Sequence, residues 1–226
     1  MSKSCSSKHD CCTGNFFNDI AHHLPCAIFA VGLSIILTGI LTAICPDLSA
    51  FAKNSRQLFH TLHYVHLLFA STGTVLVYRK ISNAGIFSSI LVGTITPAIF
   101  CTLSDAVLPC IGGQLLGLNV EMHWCFLHHF TSVLPFLALG VFNGILVSSR
   151  CVDKTFSSTL TYHSAHIFVS AMASMLYLVA YGLSSWGHYM GSILCILVVA
   201  VVVPCTLSDL VIPTLCAKLK GGQVDR

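Results

Sequence analysis

The chain has 226 residues with a mean hydropathy of +0.83; 55% are apolar and only 8% charged, against about 25% charged in an average soluble domain. So few charges cannot cover the surface of a 24.3 kDa globule, which excludes a soluble enzyme and points to a polytopic membrane protein. The formal net charge of +3 is small and carried in short loops, so nucleic acid is excluded as a partner.

Residues 1–21 are expected to form a polar cytoplasmic tail. It carries Cys5, His9, Cys11 and Cys12, which reads either as soft-metal capture or as chance clustering in a cysteine-rich chain. The other cysteines lie mostly in apolar runs (Cys26, Cys45, Cys101, Cys195, Cys205), where a lone thiol behaves as a small hydrophobe rather than half of a disulfide framework.

A bilayer core takes about 20 apolar residues to cross. Six such runs predict spans at roughly 24–45, 58–78, 84–106, 126–148, 160–183 and 190–215. The first is too long to be the core of a signal peptide. Lys3, Lys8, Arg79, Lys80, Arg150, Lys154, Lys218, Lys220 and Arg226 fall on one side of this arrangement, and only Lys53 and Arg56 on the other. The bias puts both termini in the cytoplasm, in a plasma or inner membrane, and agrees with an even number of spans.

The two halves of the chain repeat. Cys101-Thr102-Leu103-Ser104-Asp105 recurs letter for letter as Cys205-Thr206-Leu207-Ser208-Asp209, each followed four residues after the aspartate by Pro109 or Pro213. Upstream, His63-x-x-His66 matches His163-x-x-His166, and His22-His23 matches His128-His129. The expected fold is therefore all-α: six transmembrane helices arranged as two three-helix repeats, residues 22–120 and 121–226. With an odd number of spans in each, the second repeat lies inverted relative to the first, an architecture shared with secondary transporters.

Depth along these spans predicts two metal sites. His63, His66, Asp105 and one of His128 or His129 are expected near the outer face. His163, His166, Asp209 and one of His22 or His23 are expected near the inner face. Histidines at i and i+3 share a helix face, imidazole and carboxylate suit divalent transition metals, and an ionisable group within a span is a functional hypothesis by default. Cys101 and Cys205 lie four residues before each aspartate and can add a soft ligand. Ser104 and Ser208 are expected to hold ligands by hydrogen bonds. His60 extends the 63/66 stripe, but its counterpart is Leu160, so it ranks second. His9, His123 and His188 lie outside the repeat; the last two are placed to collect ions at the outer surface. Pro97, Pro109, Pro135, Pro204 and Pro213 are expected to kink or interrupt their helices. Kinks after Pro97 and Pro204 would draw the aspartates inward, toward one shared midplane cluster.

No phosphate-binding glycine loop, Ser-His-Asp arrangement or dinucleotide fingerprint is evident. The expected function is transport of a divalent transition metal (Zn, Fe or Mn), with protons as the coupling ion through imidazole titration. Two alternatives from other classes are a membrane-embedded metal-dependent enzyme and a haem-binding electron carrier, which would be coloured.

Overall fold

A computed structural model describes residues 16–45, 47–82, 85–125, 129–149, 156–182 and 186–219. The tail cysteines and His9 lie outside these residues. Every regular element among them is helical: α1 (Phe16–Ile44), α2 (Leu48–Ile81), α3 (Ile86–Thr102), α4 (Leu108–Leu115), α5 (Phe130–Ser148), α6 (Phe156–Tyr181), a short turn at Trp186–Tyr189, α7 (Met190–Thr206) and α8 (Ile212–Leu219). Five helical stretches are long and apolar enough to cross a membrane: His23–Ile44, Ile86–Leu115, Phe130–Ser148, His163–Tyr181 and Met190–Leu219.

The expected second span lies inside α2, which is outside that group of five. Its 34 residues include Lys53, Arg56, three histidines, Arg79 and Lys80. The reason it can be this polar is its position. It packs against α3, α5, α6 and α8, so its polar stripe meets protein. Asp47 opens it as an N-cap: its Oδ1 accepts the backbone N–H of Ser49 at 2.9 Å and of Ala50 at 3.3 Å, filling donors that a helix start leaves free. Arg79 and Lys80 close it at the negative end of the helix dipole.

Across the bundle large apolar side chains lie on the outside, and hydroxyl, imidazole and carboxylate groups share the interior with the apolar core. Phe29, Ile44, Phe87, Leu115, Phe142 and Leu219 are exposed, while Ser34, Thr38, Ser71, Thr74, His63, His66, Asp105, His166, Ser170 and Ser174 are buried. An apolar outside of this extent needs an apolar medium or partner against it, and the long apolar helices suit a bilayer. Hydroxyls in α1 fold back onto their own helix, Ser34 to the Ala30 carbonyl and Thr38 to the Ser34 carbonyl, both at 2.8 Å, as a medium without water requires. Gly140 and Gly144 of α5 let α2 approach closely: a Cβ at Gly140 would lie 2.6 Å from the Leu68 carbonyl oxygen, and one at Gly144 2.7 Å from the Val75 Cβ. Helices packed in lipid use small residues in this way.

The prolines do not break their helices. After α3 the chain makes one π turn, Leu103–Val107, and continues into α4; after α7 it makes another, Leu207–Val211, and continues into α8. In each, an N–H bonds to a carbonyl five residues back, Leu108 to Leu103 and Ile212 to Leu207. Pro109 and Pro213 come next, and having no N–H they leave the carbonyls of Ser104 and Ser208 without a helical partner. Neighbouring helices supply one. Ser174 Oγ of α6 donates to the Ser104 oxygen at 3.2 Å, and Thr74 Oγ1 of α2 donates to the Ser208 oxygen at 3.1 Å. The widened turns carry Asp105 and Asp209, and such bulges recur at functional sites.

Candidate metal centre

Three histidines descend one face of α2 at i, i+3 and i+6: His60, His63 and His66. The π turn after α3 brings Asp105 against the lower two. His63 Nδ1 donates to Asp105 Oδ2 at 2.9 Å and His66 Nδ1 to the same oxygen at 2.7 Å. Ser170 Oγ of α6 donates to the other oxygen, Oδ1, at 2.8 Å, and lies 2.9 Å from Ser104 Oγ. Asp105 is 0% exposed, and each of its oxygens already accepts a hydrogen bond. An ionised carboxylate only accepts, so both imidazoles carry their proton on Nδ1. For His66 this leaves the Nε2 lone pair facing Cys101 Sγ at 3.7 Å and Cys205 Sγ at 3.8 Å.

The second half is built from the matching residues and is less complete. His166 Nδ1 of α6 lies 3.0 Å from Asp209 Oδ2, yet neither ring nitrogen of His166 makes an aligned hydrogen bond among the described residues. Asp209 Oδ1 and Ser208 Oγ are likewise without a partner there. For Asp209 Oδ1 and Ser208 Oγ the cause is one position. Ser170 serves Asp105 and Ser104, but the residue at the matching place in α2 is Ala70. Gly73, one turn further along, keeps the space beside the Asp209 carboxyl open; a Cβ there would stand 3.8 Å from it. His163 Nε2 lies 2.7 Å from His23 Nδ1 of α1, and ligand atoms of His163, His166 and Asp209 all fall within 4.8 Å of one another.

The two halves meet. The His66 and His166 ring centroids are 4.7 Å apart, and ligand atoms of His66, His166 and Cys205 lie within 4.8 Å of one another. The expectation of separate outer and inner sites is corrected: His63, Asp105, His66, His166, Asp209, His163 and His23 form one continuous row. The physical reason is helix length. The third span was expected to end near residue 106, but the helical stretch runs on to Leu115, and its counterpart to Leu219, about 15 Å beyond each aspartate at 1.5 Å per residue. α2 begins at Leu48, so His63 and His66 straddle its midpoint instead of lying near its end.

His129 does not join Asp105. Its ring sits 4.7 Å from that of His60 and 5.8 Å from that of His123. His60, His123 and Cys125 have ligand atoms within 4.8 Å of one another, with Cys125 Sγ 3.6 Å from His60 Nδ1. The second-ranked His60 thus anchors a half-buried cluster of its own. His188 is exposed on the short turn before α7. The His22 side chain and the whole of His128 lie outside the described residues. Cys125 was missed by sequence reasoning because nothing repeats it in the other half.

The central row joins imidazoles from α1, α2 and α6 and carboxylates from both π turns, with the buried thiols Cys101 of α3 and Cys205 of α7 beside it. Such groups can hold a transition-metal ion, and the imidazoles can carry protons. Comparison of the chain with protein-family models, with curated proteins and with solved structures finds no match.

Proposed function

We propose that this chain is an integral membrane transporter of a divalent transition-metal ion (Zn, Fe or Mn), built as two inverted three-helix repeats with both termini cytoplasmic. The observation that carries the reading is the row of ligating groups through the bundle, in which matching residues of the two repeats, His66 and His166, lie side by side. The ion is the cargo. Its successive ligands along α2 and α6 are spaced by single helical turns, and two half-sites related by the repeat suit alternate exposure to the two sides. The cross-repeat hydrogen bonds support inversion: Thr74 to Ser208 becomes Ser174 to Ser104 when the halves are exchanged. Protons released from the ligating groups on ion binding offer a coupling reaction.

An enzyme built on the same cluster would need no row of successive ligands running from one repeat into the other, and such a row favours passage over catalysis. A haem held between His66 and His166 is disfavoured, because rings 4.7 Å apart leave no room for a macrocycle between them. The test is flux. Purified protein in liposomes loaded with a metal-responsive dye should admit at least one of Zn²⁺, Fe²⁺ or Mn²⁺, faster under an imposed pH gradient. Absence of flux for all three, under gradients of either sign, overturns the reading. Reporter fusions that place the two termini on opposite sides of the membrane overturn the inverted topology.

A further inference from the structure

We infer that the ion at the centre is held by two thiolates and two imidazoles, from Cys101, Cys205, His66 and His166, and that the site is therefore selective for Zn²⁺, with Asp105 and Asp209 as positioning residues behind the histidines. This rests on the metal-binding reading above and names its substrate.

The argument begins with Asp105. Its two oxygens accept from His63, His66 and Ser170, so it is engaged in orienting imidazoles. A carboxylate behind a ligating histidine fixes the tautomer and raises the basicity of the other nitrogen. That nitrogen, His66 Nε2, faces two sulfurs at 3.7 and 3.8 Å. Tetrahedral zinc with Zn–S near 2.3 Å and Zn–N near 2.0 Å separates nitrogen from sulfur by about 3.5 Å. For these two pairs a few tenths of an ångström of closure suffice; His66, His166 and Cys205 already have ligand atoms within 4.8 Å of one another, and Cys101, outside that group, must close further onto it. Both cysteines are buried and free.

The set is also closed under the repeat. Cys101 and Cys205 occupy matching positions, as do His66 and His166, with Asp209 behind His166 as Asp105 is behind His66. One ion at the junction thus meets the same donors from each half. Two neutral thiols lose two protons and two neutral imidazoles lose none, so Zn²⁺ is bound as an uncharged unit and two protons leave. No electron moves. An uncharged unit suits a buried location, where an unpaired charge is costly. An S2N2 tetrahedron favours zinc, whereas Mn²⁺ prefers oxygen donors.

Cobalt is the probe. In full-length protein purified in detergent, with Cys5, Cys11, Cys12 and Cys125 replaced by serine, Co²⁺ should bind with sulfur-to-cobalt charge-transfer bands and intense tetrahedral d–d bands. Zn²⁺ should bleach them at equimolar concentration and Mn²⁺ should not. Cys101→Ser/Cys205→Ser should remove the charge-transfer bands. Asp105→Asn should keep them, with affinity weakened about 10–100-fold, as loss of an outer partner does. Weak octahedral bands, charge transfer that survives the double cysteine substitution, bleaching by Mn²⁺, or loss of the bands in Asp105→Asn would each overturn the assignment. The spectra need no flux: bands without transport retain the site and refute the transporter, and transport without bands does the reverse.

Discussion

Ser170 of α6 donates to Asp105 Oδ1 at 2.8 Å across 65 positions of sequence, and the second repeat has no equivalent of this bond because Ala70 stands where the serine would be. The two halves of the centre are thus chemically unequal. One carboxylate is fully engaged, and the other keeps an oxygen without a partner among the described residues.

Ser170→Ala should therefore cost about 1–3 kcal/mol, the penalty of leaving a buried acceptor unsatisfied. Ala70→Ser should be neutral or stabilising by up to about 1 kcal/mol, since by the repeat the new hydroxyl takes the place beside Asp209 and Ser208 that Ser170 has beside Asp105 and Ser104. Thermal unfolding of the two variants in detergent checks this. Equal destabilisation by both would mean that the asymmetry has no energetic content.

Asp105→Asn and Asp209→Asn should each reduce metal flux at least tenfold while the protein still accumulates in the membrane. At Asp105 an amide brings its own N–H donors to a place where three donors already converge, so the imidazoles lose their orientation. Uptake into liposomes at matched protein content is the measurement. Normal flux in both variants would remove the aspartates from the mechanism.

His66→Ala should empty the central site, whereas His60→Ala should leave it filled. His66 touches both cysteines, Asp105 and His166; His60 belongs to the separate group with His123 and Cys125. Metal stoichiometry by elemental analysis after equilibrium dialysis separates the two. Under the earlier expectation of independent inner and outer sites, His63→Ala/His66→Ala would have halved the metal; a single junction predicts loss of the whole central ion.

Gly140→Ala should destabilise the fold by about 1–3 kcal/mol, as overpacking does. The added methyl would meet the Leu68 carbonyl oxygen at 2.6 Å and its Cα at 3.1 Å, and backbone cannot step aside as a side chain can. Gly32→Ala, with nothing within 4 Å, is the control and should be silent in the same unfolding assay.

The membrane class, the positions of the long helices and the repeat were all legible in the sequence, because hydropathy and letter identity are local properties. So were the pairings of His63 and His66 with Asp105, and of His166 with Asp209, since matching motifs four and five residues long marked them twice. Depth was not legible. The apolar run suggested that the third span ends just past its aspartate, but a π turn carries each helix on beyond its proline by handing an orphaned carbonyl to Ser174 or Thr74, residues more than 60 positions away. Helix ends set by such distant partners decide how far along the bundle a side chain sits. That is why only the tertiary structure brought His66 against His166, turned its Nε2 toward Cys101 and Cys205, and placed His129 beside His60.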